Sequence, residues 1–487
     1  MKLEHTYAET FPGLAKTATP FIPLESKVSW VNEPLAQELG LDATWLATSD
    51  GLNWLTGAAG DSVPTFALAY SGFQFGNLSP LLGDGRAHLV GELAKADDEN
   101  KRVDLHLKGS GLTPFSRPGA DGKAPLSAVW REAVMGEFFA ALDVPTSRVL
   151  AIIETGEKVQ RRDPVPEPAG ILVRVAASHL RVGTFQFAQM NLGEDERDKL
   201  VNYALGRHYP QVYSNLHQTE KSAALELFRA VADQQADLLA QWMGLGFVHG
   251  VLNTDNVTIS GESIDFGPCA FIDEFRFEAV FSSIDRQGRY SFRNQPSITQ
   301  WNLARFAESL IDLMGKDPNL AVEQAGEILT DFEERFQRRW VEVFAAKLGV
   351  GIEGVEDSVV ETLRAFIGRT LNMLERESLD FTGFFRALTD SRRGEIDAEW
   401  LRDLEELRLR AGTEADVSQR LMEGTNPVYI PRNFRVDNAL GEMARGNEEP
   451  LHRLLRAIRN PLQRQDGLEE LEEVPASSRP FVSYCGT

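Results

Sequence analysis

The segment that most constrains the fold runs from Phe247 to Asp273 and reads FVHGVLNTDNVTISGESIDFGPCAFID. Apolar and polar residues alternate after Asn256 as they would in a strand, and Gly261 is typical of a hairpin turn. A hairpin here would return the chain to Asp265 and place the Asn256 amide and the Asp265 carboxylate at one end. Both groups are hard oxygen ligands suited to Mg²⁺ with bound phosphates. The segment therefore predicts a metal–phosphate site.

Protein kinases and aminoglycoside-type kinases build their metal site in this way. In the kinase catalytic loop the metal-binding Asn lies seven positions after a His, which is the spacing from His249 to Asn256. We expect His249 to hold the loop by hydrogen bonds. The kinase base would stand at position 251, but Val251 cannot accept a proton. The alternative is that these residues form ordinary turns. Several kinase-like features that recur in order upstream argue against this alternative.

Composition narrows the classes of partner. The 487 residues include 72 Asp and Glu against 50 Lys and Arg, a formal charge of −22, which argues against nucleic acid or an anionic membrane as the main partner. No apolar run is long enough to span a bilayer, and the first residues lack the apolar core of a secretory signal. We therefore expect a cytoplasmic bacterial protein. Two cysteines are too few for a multi-bridge disulfide scaffold.

The order of the predicted elements fits a kinase-like fold. Residues 103–108 alternate as a strand, a helix follows from 128 to about 142, and residues 149–153 and 171–175 form two more strands. Helices dominate from about residue 194. We therefore predict an α+β, protein-kinase-like two-lobed fold with a helical C-terminal extension. Its units are an N-terminal wrap (1–65), a small nucleotide-binding lobe (66–190), a helical large lobe with the metal-binding and catalytic loop (191–460) and a mobile C-terminal tail (461–487).

The chain resembles the selenoprotein O (SelO) family of protein adenylyltransferases, which have a pseudokinase fold. The matching motifs run from Tyr70 to Asn433: YSGFQFG, LGDGRA, LKGSGLTPFSR, LVRVAASHLRVGTF, HGVLNTDN, DFGP, DRQGRYSFRNQP and NPVYIPRN. The resemblance implies binding of ATP with Mg²⁺, for which Mn²⁺ could substitute, and transfer of AMP to Ser, Thr or Tyr hydroxyls of other proteins with release of pyrophosphate. The spacings alone indicate only a nucleotide–metal site without the kinase base. Two alternatives stay open, a phosphotransferase in which Asp255 replaces the base and a nucleotide-binding scaffold.

The resemblance also assigns residues to the phosphate site. Lys108 would pair with phosphate oxygens, and Glu132 would hold this lysine, since a buried Lys needs a counter-charge. Gly83 and Gly85 would let backbone N–H groups approach phosphate, and Arg86 would add charge. The structural alternative is that Lys108 ends a solvated strand and Glu132 lies on a solvated helix face.

Two further pairs are implied in the same way. Asp121 and Gly122 match a second nucleotide-contacting loop, although residues 118–120 make this loop one residue longer than the family pattern. Arg174 and Arg181 can bind phosphate oxygens with both arms of the guanidinium. In the family such arginines hold the γ-phosphate of an ATP turned over in its site, so that the α-phosphate faces the acceptor. The alternative is two surface arginines.

The remaining assignments concern catalysis, the metal and the cysteines. By resemblance Asp255 is the catalytic base, and Asn256 and Asp265 bind the metal. Cys485 stands at a position resembling the family's C-terminal Cys or selenocysteine, and we expect a redox link to Cys269. Because Cys269 matches no family cysteine, two unrelated thiols remain the alternative.

Overall fold

The computed structural model describes residues 3–58, 64–96, 98, 101–161, 165–216, 221–475 and 480–483. These residues form one large antiparallel sheet, two small two-stranded sheets and many helices, which confirms the expected α+β class. The strands are β1 (Ala15–Thr17), β2 (Lys27–Val31), β3 (Phe66–Leu68), β4 (Gly72–Gln74), β5 (Asn77–Ser79), β6 (Ala87–Ala94), β7 (Arg102–Lys108), β8 (Ala124–Pro125), β9 (Arg148–Val159), β10 (Glu167–Ala176), β11 (Phe247–Val248) and β12 (Ala270–Phe271). The helices are α1 (Thr6–Thr10), α2 (Glu33–Glu38), α3 (Ala43–Leu46), α4 (Ser49–Leu55), α5 (Leu126–Ala140), α6 (Val182–Asn191), α7 (Glu194–His208), α8 (Pro210–Leu216), α9 (Ala223–Gly244), α10 (Gln295–Glu308), α11 (Ile311–Met314), α12 (Pro318–Lys347), α13 (Asp357–Arg376), α14 (Phe381–Thr389), α15 (Ala398–Arg410), α16 (Ala415–Thr425), α17 (Asn433–Ala444) and α18 (Glu449–Arg459).

The main sheet has the strand order β1-β3-β6-β7-β10-β9-β2, and β8 pairs with β10. Its two edges, β1 and β2, come from the start of the chain. Val28 of β2 pairs with Ile153 of β9, and Ala15 of β1 pairs with Leu68 of β3. The region expected to wrap the molecule thus contributes strands to the sheet itself.

Helices cover both faces of the main sheet. On one face Leu35 of α2 belongs to the same apolar cluster as Leu105 of β7. On the other face α5 packs against β9 and β10 and buries Phe139. The helix expected from residue 128 begins two residues earlier, at Leu126, and Ser127 donates a hydrogen bond to Glu167 (2.7 Å).

The polar side of β7 is buried as well. Asp104 is 2.9 Å from His179 Nδ1 and 2.5 Å from Arg207 Nη2. Arg207 Nη1 also lies 3.0 Å from Glu92 of β6. The alternation expected in β7 is therefore present, but its polar side is covered at Asp104 by α7, whose arginine supplies the counter-charge that a buried carboxylate needs.

Residues 247–273, all of which are described, do not form the expected hairpin. β11 and β12 pair with each other and bring the two ends of the segment together. Between them Thr258 bridges to Arg181, and Ser263 bridges to Thr146. The hydrogen bonds that a hairpin would have made internally are thus made with neighbouring segments, and residues 254–256 form a 3₁₀ turn.

The described residues of the C-terminal tail lie against the body of the protein. The Val428 N–H donates to the Pro461 carbonyl (2.7 Å), and the Ser483 N–H donates to the Phe281 carbonyl (2.8 Å). Phe481 is buried against Phe281. In the described part of the chain, no helix combines the length and the apolar character that a membrane span requires.

Candidate active site

Five charged side chains meet where β7, α5, β10 and the start of α6 approach the DFG sequence. Asp265 Oδ1 lies 2.6 Å from Lys108 Nζ and 2.7 Å from Arg174 Nη2, and its Oδ2 lies 3.6 Å from Arg181 Nη1. Glu132 Oε2 lies 2.6 Å from Arg174 Nη2. The expected ion pair between Lys108 and Glu132 is also present. We call these five residues the charge cluster.

The sheet register explains why these residues meet. Leu172 of β10 pairs with Lys108, and Arg174 pairs with His106. Because residues two apart on a strand share a face, Lys108 and Arg174 project from the same side of the sheet. That side is covered by α5, which supplies Glu132.

The charge cluster carries one excess positive charge, since it has three cations and two carboxylates. Burial would raise the pKa of Asp265, but Arg174, Lys108 and Arg181 outweigh burial and hold this pKa well below its usual range. Burial would likewise raise the pKa of Glu132, but Arg174 and Lys108 outweigh burial and lower this pKa. Both carboxylates are therefore ionised at neutral pH. The Nε atoms of Arg174 and Arg181 are buried without a hydrogen-bond partner among the described residues, so the cluster can still accept an anion.

Asp265 has a left-handed backbone, with φ of 62°. This conformation is uncommon for a residue other than glycine and costs about 1–3 kcal/mol. The next residue, Phe266, is fully buried, and its ring centroid is 5.7 Å from that of Phe139. The backbone turn thus sends the phenyl ring into the core while the carboxylate points into the charge cluster.

Asp255 lies on the 3₁₀ turn beside the cluster. Arg181 Nη1 donates to its backbone carbonyl (3.1 Å), whereas its carboxylate accepts from Gln74 Nε2 (2.7 Å). Burial raises the pKa of Asp255 to about 6. A carboxylate with such a pKa can take a proton near neutrality more readily than an exposed one.

The strands β4 and β5 form a small hairpin over this turn. The Phe73 N–H donates to Thr254 Oγ1 (2.9 Å), and the Phe75 N–H donates to Asn253 Oδ1 (3.2 Å). Sequence reasoning missed Gln74 as a site residue. A signal for it lies in the motif YSGFQFG, where Gln74 is a polar side chain between two phenylalanines.

Asn256 and Asp265 are the expected metal ligands, and Arg181 contacts both Asp265 and the carbonyl of Asp255, the residue before Asn256. The Asn256 Nδ2 donates to the Val251 carbonyl (2.8 Å), which leaves its Oδ1 as the atom that could coordinate a cation. His249 Nε2 lies 2.9 Å from the Ile264 carbonyl and ties the two arms of the segment, as expected. No group of three or more His, Cys, Asp or Glu residues able to hold a metal occurs in the described part of the chain. These two oxygen donors fit Mg²⁺ or Mn²⁺, which take their remaining ligands from phosphate and water.

The glycine turn, formed by Gly83 and Gly85, leads into Arg86, on which the charges of Glu132 and Asp265 in the charge cluster act. Gly83 has φ of 64°, and a Cβ there would be 2.5 Å from the Phe115 ring. A Cβ at Gly85 would meet nothing closer than 3.5 Å. Arg86 Nη1 donates to the Lys123 carbonyl (3.0 Å). Burial lowers the pKa of Arg86, and the charge of Glu132 acts in the opposite direction.

Asp121 lies outside the charge cluster. It is exposed, and its carboxylate is 2.7 Å from Arg161 Nη1. Gly122 has φ of 72°, and a Cβ there would be 2.3 Å from the carbonyl carbon of Gly111. Arg161 Nη2 also donates to the Lys123 carbonyl (2.9 Å), which is the atom that Arg86 contacts. The loop that carries Asp121 and Gly122 therefore adjoins the glycine turn, because Arg161 and Arg86 both donate to the Lys123 carbonyl.

Cys269 is buried directly behind the DFG sequence. Arg131 Nη2 donates to its carbonyl (2.6 Å), and burial raises the pKa of its thiol to about 11. Ser483 Oγ donates to the Pro268 carbonyl (2.7 Å), so the tail docks beside this cysteine. Cys485 lies outside the described residues, and its pairing with Cys269 stays a prediction.

Comparison with known proteins connects this site to an enzyme family. A family model described as protein adenylyltransferase SelO matches residues 14–459. A protein nucleotidyltransferase YdiU of Pseudarthrobacter chlorophenolicus is 42% identical over 478 residues, which cover 95% of this chain and 94% of the relative. A protein of the same name from Rhodococcus jostii is 42% identical over 499 residues, covering 100% and 94%. Another from Anoxybacillus flavithermus is 42% identical over 472 residues, covering 95% and 94%.

Proposed function

The chain belongs to the SelO family of protein adenylyltransferases, and from this premise we propose that it transfers AMP from ATP to Ser, Thr or Tyr hydroxyls of other proteins. In this reaction the acceptor oxygen attacks the α-phosphorus and the bond to the β-phosphate oxygen breaks. Pyrophosphate leaves, and the hydroxyl proton passes to Asp255. We also propose a kinase-like two-lobed pseudokinase fold, in which the main sheet belongs to the small lobe, and a cytoplasmic location, where ATP is available.

The observation that carries the proposal is the excess positive charge of the charge cluster. A kinase needs one lysine–glutamate pair at this place. Here Arg174 and Arg181 are added, and each has a buried Nε without a partner in the described residues. Two guanidinium groups are best suited to bind the terminal phosphates, which carry most of the negative charge of ATP. If the β- and γ-phosphates occupy the cluster, the α-phosphate is the one left facing the acceptor.

The position of Asp255 supports the same direction of transfer. Its backbone carbonyl faces Arg181, whereas its carboxylate faces Gln74 on the opposite hairpin. The carboxylate is thus hydrogen-bonded to the hairpin, although the charge of Arg181 still opposes the rise of its pKa. Val251, at the position of the kinase base, is buried and uncharged.

Asn256 and Asp265 would hold Mg²⁺ or Mn²⁺. A divalent ion bound there supplies positive charge that neutralises phosphate oxygens. In the structure Asp265 is paired with Lys108 and Arg174. Lys108 and both arginines would therefore exchange part of their pairing with carboxylates for pairing with phosphate when the nucleotide binds.

The test compares α-labelled and γ-labelled ATP with a mixture of acceptor proteins. The α-label should enter protein and the γ-label should not. Lys108→Ala should lower incorporation by at least about 100-fold, as loss of a transition-state charge does, and Asp255→Asn should lower it by about 100-fold or more, as loss of a general base does. Lys27→Ala is the matched control, because Lys27 is exposed, pairs with Glu154 and lies on the edge strand β2, which β9 separates from β10.

Incorporation of the γ-label instead would favour the phosphotransferase. Failure of both labels to enter protein, with ATP still bound, would favour the scaffold.

A further inference from the structure

The motif DRQGRYSFRNQP, residues 285–296, has no role in the phosphate site described above. Its turn is fixed by Asp285, whose carboxylate accepts the N–H groups of Arg289 (2.9 Å) and Tyr290 (2.8 Å). Gly288 within the turn has φ of 67°. Asp285, the carboxylate nearest to Arg289 in sequence, thus binds its backbone N–H.

Arg289 stacks on aromatic rings. Its guanidinium carbon lies 4.9 Å from the ring centroid of Trp301 and 5.7 Å from that of Tyr290. The guanidinium of Arg305 lies 5.2 Å from the same Trp301 centroid. Phe73 packs edge-on against Trp301, with centroids 5.2 Å apart. We call Arg289, Trp301 and Arg305 the arginine–tryptophan platform.

The two arginines of the platform differ in their partners. Arg305 pairs with Glu308 (2.5 Å). Arg289 hydrogen-bonds the Tyr290 side chain but forms no ion pair with a carboxylate among the described residues, and its buried Nε has no hydrogen-bond partner there. Its side chain is only partly exposed. Because buried charges are usually paired, an arginine without a carboxylate in a chain with a net charge of −22 is suited to an anion from outside.

The platform adjoins the acceptor side of the site. Gln74 of β4 contacts the Asp255 carboxylate, and Gly76 lies two residues further along the same hairpin. A Cβ on Gly76 would be 3.6 Å from the guanidinium carbon of Arg289. Two residues span at most about 7 Å. The Tyr290 hydroxyl also donates to Asn253, two residues before Asp255.

We propose that Arg289, held on Trp301, binds a carboxylate of the acceptor polypeptide close to the hydroxyl that is modified. The inference rests on the proposed function and adds a substrate class, polypeptides with Asp or Glu near the acceptor. The proposal places the phosphates of ATP in the charge cluster, to which Arg289 does not belong, and the acceptor carboxylate at the platform, which adjoins the hairpin that bonds the Asp255 carboxylate. A polypeptide advances about 3.3 Å per residue, so a carboxylate one to three residues from the hydroxyl would reach Arg289.

The test uses synthetic peptides with one Ser acceptor and Glu, Gln or Lys at the three positions on either side. With α-labelled ATP, the KM of the Glu peptide should be about tenfold lower than that of the Gln peptide, as expected for one charge-assisted contact. Arg289→Gln should remove this difference, and Arg289→Glu should favour the Lys peptide. Arg293→Gln is the matched control, since Arg293 lies in the same motif, is exposed and pairs with Glu278 (2.8 Å).

The outcomes separate the two proposals. Transfer of the α-label with equal KM values for the three peptides, or a preference that survives in Arg289→Gln, would overturn the acceptor site alone. Absence of α-label from every peptide and protein would overturn the proposed function and this inference with it.

Discussion

Replacing Gly72 by alanine tests how closely the Asp255 carboxylate must be placed. Gly72 lies on β4, and its φ is outside the left-handed region, so alanine fits the backbone. The added Cβ would lie 2.4 Å from Asp255 Oδ1 and 2.6 Å from Leu82 Cδ1. An ordinary contact begins near 3.4 Å, which means that the carboxylate must move by about 1 Å. A misplacement of this size costs about 100-fold in rate.

The assay is α-label incorporation together with thermal unfolding. Gly72→Ala should lose about 100-fold in kcat while its melting temperature changes little, because Leu82 can rotate away. Gly326→Ala is the matched control: Gly326 lies in α12, a methyl group added there would meet no described atom within 4 Å apart from the adjoining backbone of its own helix, and the variant should keep full activity. Gln74→Ala removes the 2.7 Å hydrogen bond without adding bulk and should cause a smaller loss. Wild-type rates in both Gly72→Ala and Gln74→Ala would refute the importance of this placement.

Three further predictions concern stability, redox state and the metal. Lys347 is 2% exposed with its ammonium over two phenylalanine rings, and burial lowers its pKa from 10.5 to about 7. Because the unfolded chain binds this proton up to about pH 10.5 and the folded chain only below about 7, the lysine destabilises the protein at pH 7 and less so as the pH rises. Lys347→Met should raise the free energy of unfolding by about 2–5 kcal/mol at pH 7. The difference in this free energy between the variant and the wild type should close toward pH 10, and a difference that does not change with pH in denaturant titrations would contradict this prediction. Mass mapping of oxidised protein should find Cys269 linked to Cys485, and two free thiols would end that idea. Asn256→Ala should raise the Mg²⁺ concentration for half-maximal activity by about tenfold, as loss of one ligand group does, and an unchanged Mg²⁺ titration would exclude Asn256 as a ligand.

The charge cluster could be anticipated from the sequence because each member follows a recognisable local pattern. Lys108 ends an alternating strand, Glu132 lies on the next helix, and Asp265 opens the DFG sequence. Strand pairing and helix packing then bring together residues that are far apart in the chain. The roles of these residues in phosphate binding stay a prediction.

Other features depend on partners that no local pattern reveals. The alternation after Asn256 indicated a strand, but the backbone at Thr258 bridges to Arg181, and the Thr258 hydroxyl donates to the Glu262 carbonyl in the expected hairpin arm. Asp121 is neutralised by Arg161, forty residues later, and so remains outside the cluster. Gln74 reaches Asp255 across 181 positions. Each of these outcomes is decided by competition between distant groups for the same hydrogen bonds and charges.

The place of β2 at the edge of the main sheet has a consequence for the order of events during synthesis. The partner strand of β2 is β9, in which Ile153 pairs with Val28. Residues 27–31 therefore leave the ribosome well before the strand with which they pair. Arg207, which neutralises Glu92 and Asp104 beneath the sheet, emerges later still. Pairing between such distant segments is slow, and an unpaired strand edge can associate with other chains meanwhile. The N-terminal part of the chain can therefore complete its fold only as one unit, after α7 has been translated.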